Sequence, residues 1–398
     1  MKSILDQDLV LKGKKVLVRV DLNVPMKDGT ITEVSRIVKI LPTVKLLIEK
    51  KAKIIILSHI GRPKGKVING MSLEPISKKL SALLNTEILF NKDKIDEKTL
   101  SEINKIPDGS IMMLENIRFY EEEEQNEDSF SKKISNLGDI YINDAFSCSH
   151  RAHSSIEGIT KYIPSYCGLQ FIEEINALKK ITSKITRPVT CIIGGSKIST
   201  KIKIISNLIK DFNNIIIVGG MGNAMLKNTG INIGKSICDD GYKDLVGEIL
   251  KKSKTHDCKI HYPLDVVVSK TLDGNGTIKE INKIDNDEMI LDIGPKTITS
   301  IKNIVEESNT VLWNGPAGYF ENPNFANGTK NILEIIAKKR IKNKIYAVAG
   351  GGETVAVINK FNKFDTFNFV STAGGAFLEY LEGKELPGIK ALKYNVKT

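Results

Sequence analysis

Apolar, β-branched runs recur along the chain, and segments with helical spacing of apolar positions lie between many of them. In the first half the runs are Lys15–Asp21, Lys53–His59, Ser110–Asn116 and Asp139–Ala145. In the second half they are Val189–Gly195, Asn214–Gly220, Asp265–Ser269, Met289–Gly294, Thr310–Gly315, Lys344–Gly350 and Phe367–Thr372. The helical segments include Arg36–Lys50, Ser199–Lys210 and Lys296–Glu307. A strand covered on both faces reads as continuously apolar, because neither set of alternate residues meets water. The pattern predicts the α/β class, with two doubly wound domains built on parallel-sheet cores.

Phe171–Lys184 lies between Tyr162-Ile163-Pro164 and Arg187-Pro188 and reads as one charged helix joining the domains. The expected division is an N-terminal domain over 1–168, an interdomain helix and linker over 169–186, and a C-terminal domain over 187–384. The length of 398 residues suits two cores of about 150–200 residues each. The acidic run Glu121–Glu124 reads as a solvated helix start or loop.

The first residues, Met1 to Asp6, lack the long apolar stretch of a signal peptide. No apolar run approaches the ~18 residues that span a bilayer. A soluble cytoplasmic protein with no membrane partner is expected. The five cysteines, Cys148, Cys167, Cys191, Cys238 and Cys258, form no C-x-x-C pair. That argues for reduced thiols and against a disulfide framework or a zinc site.

The formal net charge is +11. Lysines are scattered over the whole chain. Of 58 basic residues seven are arginines, and Arg19, Arg36, Arg62, Arg118 and Arg151 all fall in the first 151 residues. Where lysine is the default cation, a clustered arginine points to bidentate binding of carboxylate or phosphate. A nucleic-acid partner would need a basic stripe with interleaved aromatics. Aromatics are 6% of the chain and the arginines sit at strand ends, so no nucleic-acid partner is expected.

Ligands of open α/β sheets sit beyond the carboxyl ends of the strands. In the first half those ends carry Asp21 and Asn23, His59 and Arg62, Arg118, and Asp144 with His150, Arg151 and His153. In the second half they carry Gly194-Gly195, Gly219-Gly220, Gly315, Gly350-Gly351-Gly352 and Gly374-Gly375. One domain offers cationic side chains for a small polyanion. The other offers glycine turns at helix starts, where backbone N–H groups and the helix dipole attract phosphate. Glu353, in the turn Gly350-Gly351-Gly352-Glu353-Thr354, has the oxygen chemistry to hold a divalent metal on a nucleotide. Lys197 and Lys201 are four apart and share a helix face, either simply solvated or clamping a transferred phosphoryl group. For His59, His150 and His153 a structural or phosphate-facing role outweighs metal binding. Neither a G-x-x-x-x-G-K-[ST] loop nor a G-x-G-x-x-G after the first strand of either half is present, which weighs against P-loop ATPases and dinucleotide dehydrogenases.

Along nearly its whole length the sequence resembles phosphoglycerate kinase. The first half matches at Arg19-Val20-Asp21-Leu22-Asn23-Val24-Pro25, Ser58-His59-Ile60-Gly61-Arg62-Pro63, Leu114-Glu115-Asn116-Ile117-Arg118-Phe119, Asn143-Asp144-Ala145-Phe146 and His150-Arg151-Ala152-His153. The second half matches at Gly194-Gly195-Ser196-Lys197, Leu291-Asp292-Ile293-Gly294-Pro295, Trp313-Asn314-Gly315-Pro316, Gly350-Gly351-Gly352-Glu353-Thr354 and the stretch Leu381 to Gly388. The resemblance implies reversible transfer between 1,3-bisphosphoglycerate with MgADP and 3-phosphoglycerate with MgATP, in glycolysis, by a monomer whose domains close.

It also implies roles for individual residues. Asp21, Asn23, Arg36, His59, Arg62, Arg118 and Arg151 would bind the glycerate. Gly195, Lys201, Gly219, Gly294, Pro316, Glu321, Gly351, Gly352, Glu353 and Thr354 would bind the nucleotide, with Glu353 meeting its magnesium ion. Arg36, Lys197, Lys201, Gly374 and Gly375 would serve the transfer itself. Residues 385–398 would return to the N-terminal domain. The chain departs from the family pattern at Ser147-Cys148, Thr200, Tyr319, Glu353, Ala373 and Phe377. A non-catalytic nucleotide-binding relative is the rival reading, opposed by the retained Arg36, Lys197 and Lys201.

Overall fold

The computed structural model describes residues 1–6, 9–27, 29–342 and 344–394. It comprises two compact units. The first is Met1–Asn176 with the segment from Glu385 onward, and the second is Ala177–Lys384. The division falls inside one helix, Leu169–Thr182. No helix among the described residues is long and apolar enough to cross a membrane.

The first unit holds six parallel strands in the spatial order Ile88–Asn91, Ile111–Leu114, Lys53–Leu57, Lys15–Arg19, Ile140–Asn143, Ser165–Cys167. Successive strand residues point to opposite faces, and both faces are buried here. Val16, Val18, Ile54, Ile56 and Ile142 join one apolar cluster. Leu17, Ile55, Leu57, Met112 and Tyr141 join another on the opposite face. This double cover is why these runs are continuously apolar. The helix Pro387–Lys393 belongs to this unit, and Gly388 N donates to Ser149 O at 2.9 Å. Of the expected segment 385–398, residues 395–398 lie outside the described residues.

The second unit holds six parallel strands in the order Lys259–His261, Asn214–Ile217, Val189–Ile193, Thr310–Asn314, Tyr346–Gly350, Phe369–Ser371. Two of the expected runs are not in it. Asp265–Ser269 and Met289–Ile293 pair antiparallel in a separate three-stranded sheet, with Thr277–Glu280 on the other edge. Val266 and Val268 pack inward while Val267 is only half buried, and Thr277–Glu280 is mostly exposed. A sheet with one face in water is stable in antiparallel form. The short strands Ile88–Asn91, Ser165–Cys167 and Lys259–His261 carry no clear sequence signal. All three lie at sheet edges, are three or four residues long, and contain half-exposed positions.

Candidate functional site

The carboxyl ends of the first unit's strands carry a bonded network of charged side chains. Arg19 ends the strand Lys15–Arg19 and is fully buried. Its guanidinium donates from Nε to Ser155 Oγ at 2.9 Å and from Nη1 to Val20 O at 2.5 Å. Its Nη2 lies 3.0 Å from His59 Nδ1. Burial, then the positive fields of Arg19, Arg118 and Arg36, hold the His59 imidazolium well below the ordinary histidine range. His59 is therefore neutral at physiological pH.

The charge balancing Arg19 comes from an unexpected place. Glu123 sits in the helix Glu121–Gln125, and the acidic run is not uniformly solvated, because Glu123 is fully buried. It accepts from Ser155 N at 2.8 Å and from Ser155 Oγ at 2.5 Å. Ser155 thus bridges buried Arg19 and buried Glu123. Burial pushes the Glu123 carboxyl up, against the pull of Arg19. His153 Nδ1 lies 3.8 Å from Glu123 Oε1. Burial, then Arg118, Arg19 and Arg151, drive its pKa down to about 3.

Arg36 projects from the first turn of the helix Ser35–Glu49 and donates to Asp21 Oδ2 at 2.6 Å. Ser147 Oγ donates to the same oxygen, and Asn23 N donates to Asp21 Oδ1 at 3.0 Å. Asn23 Oδ1 accepts from Gly61 N at 2.9 Å, while Arg118 Nη1 donates to Gly61 O at 2.9 Å. Gly61 has φ +66° and is held at both ends of its backbone. Asp21, Asn23, Arg36 and Ser147 thus form one connected group, and Asn23 and Arg118 meet at Gly61. Arg62 and Arg151 are exposed. Donor atoms of Asp21, His59 and Cys148 lie within 4.8 Å of one another, the one such group among the described residues. The Arg19 and Arg36 guanidinium groups beside them suit this place to an anion rather than a cation.

The second unit's glycine turns interlock beyond its strand ends. Gly194 N donates to Asn314 O at 2.9 Å, and a Cβ on Gly194 would stand 2.0 Å from Pro316 O. Gly219, at φ +66°, lies against Gly195 and Pro316. Beneath them Lys201 Nζ donates to Gly194 O at 2.6 Å. Burial lowers the Lys201 pKa, and the charge of Glu353 opposes this. Gly351, at φ +95°, packs against Asn314 Nδ2, which donates to Gly350 O at 2.6 Å. Thr354 Oγ1 accepts from Gly315 N at 2.7 Å.

A cavity of about 230 Å³ opens beside these turns. Gly195, Gly219, Pro316, Glu321 and Glu353 line it, as does Tyr319. Gly351, Gly352 and Thr354 start the helix that carries Glu353 without lining the cavity. Gly294 also lies off it, packed on the Asp265 carboxylate. Lys197 is exposed on the turn before Ile198–Thr200. Gly374, at φ +54°, precedes the helix Gly375–Leu381, and Ala373 before it is buried. Phe377 fills the space over Gly350, where a Cβ would stand 2.6 Å from its ring.

Several contributors escaped the sequence reading. Asp292 lines the cavity and accepts from Gly328 N at 2.7 Å and Ile293 N at 2.9 Å. Burial raises its carboxyl to about 7. Within Leu291-Asp292-Ile293-Gly294-Pro295 no local pattern marks Asp292 as facing a cavity. The apolar walls at Ile237, Pro263, Leu272 and Met289 come from separate segments, and no local pattern marks them. Glu123 was hidden in a charge run.

The family model described as phosphoglycerate kinase matches residues 6–384. A phosphoglycerate kinase of Dictyoglomus turgidum is 45% identical over 395 residues, covering 98% of this chain and 99% of that protein. One from Wolbachia pipientis wMel is 44% identical, covering 96% of each. Among solved structures, phosphoglycerate kinase from Coxiella burnetii superposes with a TM-score of 0.91 at 38% identity over 98% of each chain. The enzyme from Pyrococcus horikoshii OT3 gives 0.80 at 28% identity over 99% of this chain and 98% of that one.

Proposed function

Because the chain belongs to the phosphoglycerate kinase family, we propose that its first unit binds 3-phosphoglycerate or 1,3-bisphosphoglycerate and its second binds ATP or ADP. The chain is an enzyme, a kinase that transfers phosphate. The observation that carries the substrate assignment is Arg36, held 2.6 Å from Asp21 within the first unit's network. Asp21, itself bonded by Ser147 Oγ and Asn23 N, holds the guanidinium in place. Neutral His59 adds a hydrogen-bonding edge there without a further charge, and Arg62 and Arg151 supply exposed cations nearby in sequence.

The acceptor is the carboxylate of 3-phosphoglycerate. With a pKa near ~3.5 it is ionised at neutral pH, so no general base is required. Catalysis then rests on alignment and on offsetting charge as the phosphoryl group moves. Arg36, Lys197 and Lys201 are the side chains assigned to that task, with the N–H groups at Gly374 and Gly375. The glycine-walled cavity takes the nucleoside, with Glu321 toward the ribose. The nucleotide arrives as its magnesium complex. Glu353, an exposed carboxylate at the cavity in the first turn of its helix, has the hard oxygen donor that this ion prefers. Transfer needs the reacting atoms about 3–3.5 Å apart, hence the domain closure that the resemblance implies. The reading extends to a monomer in the cytoplasm.

The test mixes purified protein with 3-phosphoglycerate and MgATP and traps acyl phosphate with hydroxylamine. Wild type should form substrate-dependent acyl phosphate, and Arg36→Ala should lose it. Nucleotide binding without transfer in the wild type would overturn the reading in favour of a non-catalytic relative.

A further inference from the structure

The turn that carries Lys197 and leads to Lys201 is held by a residue from a distant segment. Ile198–Thr200 forms a single 3₁₀ turn, and the side chain of Lys197 does not cap it. Its leading N–H groups need an acceptor. Asp239 supplies one, with Oδ2 accepting from Ile198 N at 2.6 Å and from Ser199 N at 3.2 Å. Oδ1 accepts from Ser199 Oγ at 2.8 Å. Within the turn, Thr200 Oγ1 donates to Lys197 O at 2.7 Å. One carboxylate therefore accepts three bonds, two of them from backbone N–H groups, and holds the turn immediately after Lys197.

The segment bearing Asp239 also meets the cavity. Ile237, two residues earlier, lines it. Its carbonyl accepts from Asn223 Nδ2 at 3.1 Å, and its side chain packs over Gly220 at the start of the helix Gly220–Asn228. One short segment thus touches the cavity through Ile237 and the lysine turn through Asp239. A carboxylate accepts three donors here where a neutral amide oxygen would accept fewer, and hydrogen bonds to a charged acceptor are the stronger kind.

We propose that Asp239 is a positioning residue for phosphoryl transfer, acting through Lys197 by fixing the turn that joins Lys197 to Lys201. The proposal rests on the kinase reading above. Asp239 has no assigned contact with substrate; its effect is on where Lys197 stands. Small misplacements of a charge-offsetting group cost roughly tenfold to a hundredfold in rate. The expected signature is a fall in kcat with a much smaller change in KM for the nucleotide, because the cavity itself is left intact.

The experiment is a double-mutant cycle on the full chain, using the hydroxylamine assay with 3-phosphoglycerate and MgATP. It compares wild type, Asp239→Ala, Lys197→Met and the double variant, with Asp239→Asn alongside as a near-isosteric version. Thermal unfolding and nucleotide titration are recorded for each. Asp239→Ala should lower kcat roughly tenfold or more, and should add little once Lys197 is already replaced, since residues acting as a unit are not additive. If Asp239→Ala and Asp239→Asn keep wild-type kcat, the proposal fails. It fails equally if the two losses multiply, because a general loosening of the fold would reduce rate with or without Lys197. A wild type that forms no acyl phosphate would bring down the kinase reading itself, and this inference with it.

Discussion

Arg19 Nη2 lies 3.0 Å from His59 Nδ1, and a guanidinium can only donate. His59 Nδ1 must therefore be the acceptor, which leaves the imidazole proton on Nε2. Burial and three surrounding arginines also keep the ring from taking a second proton. Nitrogen NMR of labelled protein should show one neutral Nε2–H tautomer for His59, unchanged between about pH 5 and 8. A His59 titration inside that window, or an Nδ1–H tautomer, would contradict the arrangement.

Arg19 and Glu123 are both fully buried and are joined through Ser155. Removing one member of such a set leaves the other charge uncompensated, at about 3–5 kcal/mol. Arg19→Met should destabilise the first unit by that order in chemical denaturation. Glu123→Gln added to it should recover part of the loss. Two independent, additive losses would show that the charges are not coupled.

The same network shows where sequence reasoning reaches and where it stops. Lys15–Arg19 and Lys53–Leu57 were legible as strands because both of their faces are buried. Asp265–Ser269 looked alike in sequence, yet one of its faces is partly open and it pairs antiparallel. Asn23 and Arg118 could be picked out because they follow strands, where ligands of open sheets gather, and Arg36 because it is one of few, clustered arginines in a lysine-rich chain. Glu123 could not, since a run of four glutamates looks solvated until a distant arginine is placed beside it. Asp239 was equally hidden, because its partners lie about forty residues back and the bonds are to backbone.

Phe377 stands where a smaller residue is expected, and the structure shows what it fills. It is fully buried, and its ring occupies the place that a Cβ on Gly350 would need, 2.6 Å away. Phe377→Ala should cost about 3–5 kcal/mol through lost burial and the cavity left behind. Gly350→Ala alone should also destabilise, by overpacking. Together they should cost less than the sum of the two, because the methyl enters the vacated space. Simple additivity in denaturation of the double variant would argue against this contact.

Asp144 ends in a buried position at the head of the helix Leu169–Thr182. Its Oδ1 accepts from Phe171 N at 3.1 Å, and a Cβ on Gly168 would stand 2.3 Å from the same oxygen. Burial raises its carboxyl from 3.8 to about 6, and the bonds from Thr43, Phe171 and Gln170 restrain that rise. A raised pKa means that the folded state holds the proton more tightly than the unfolded chain. Between about pH 4 and pH 6 the native state therefore binds more protons, and stability from this group falls as pH rises. Above about pH 6 the contribution is constant. The total is on the order of 3 kcal/mol, from about 1.4 kcal/mol per pKa unit. Asp144→Asn keeps an oxygen acceptor for the helix and removes the titration. Its stability relative to wild type should thus improve steadily from pH 4 to pH 6 and then level off. Denaturant midpoints of the two proteins across that range decide it. A difference that stays flat, or that moves the other way, would mean the carboxylate is held ionised by its helix and is not penalised by burial.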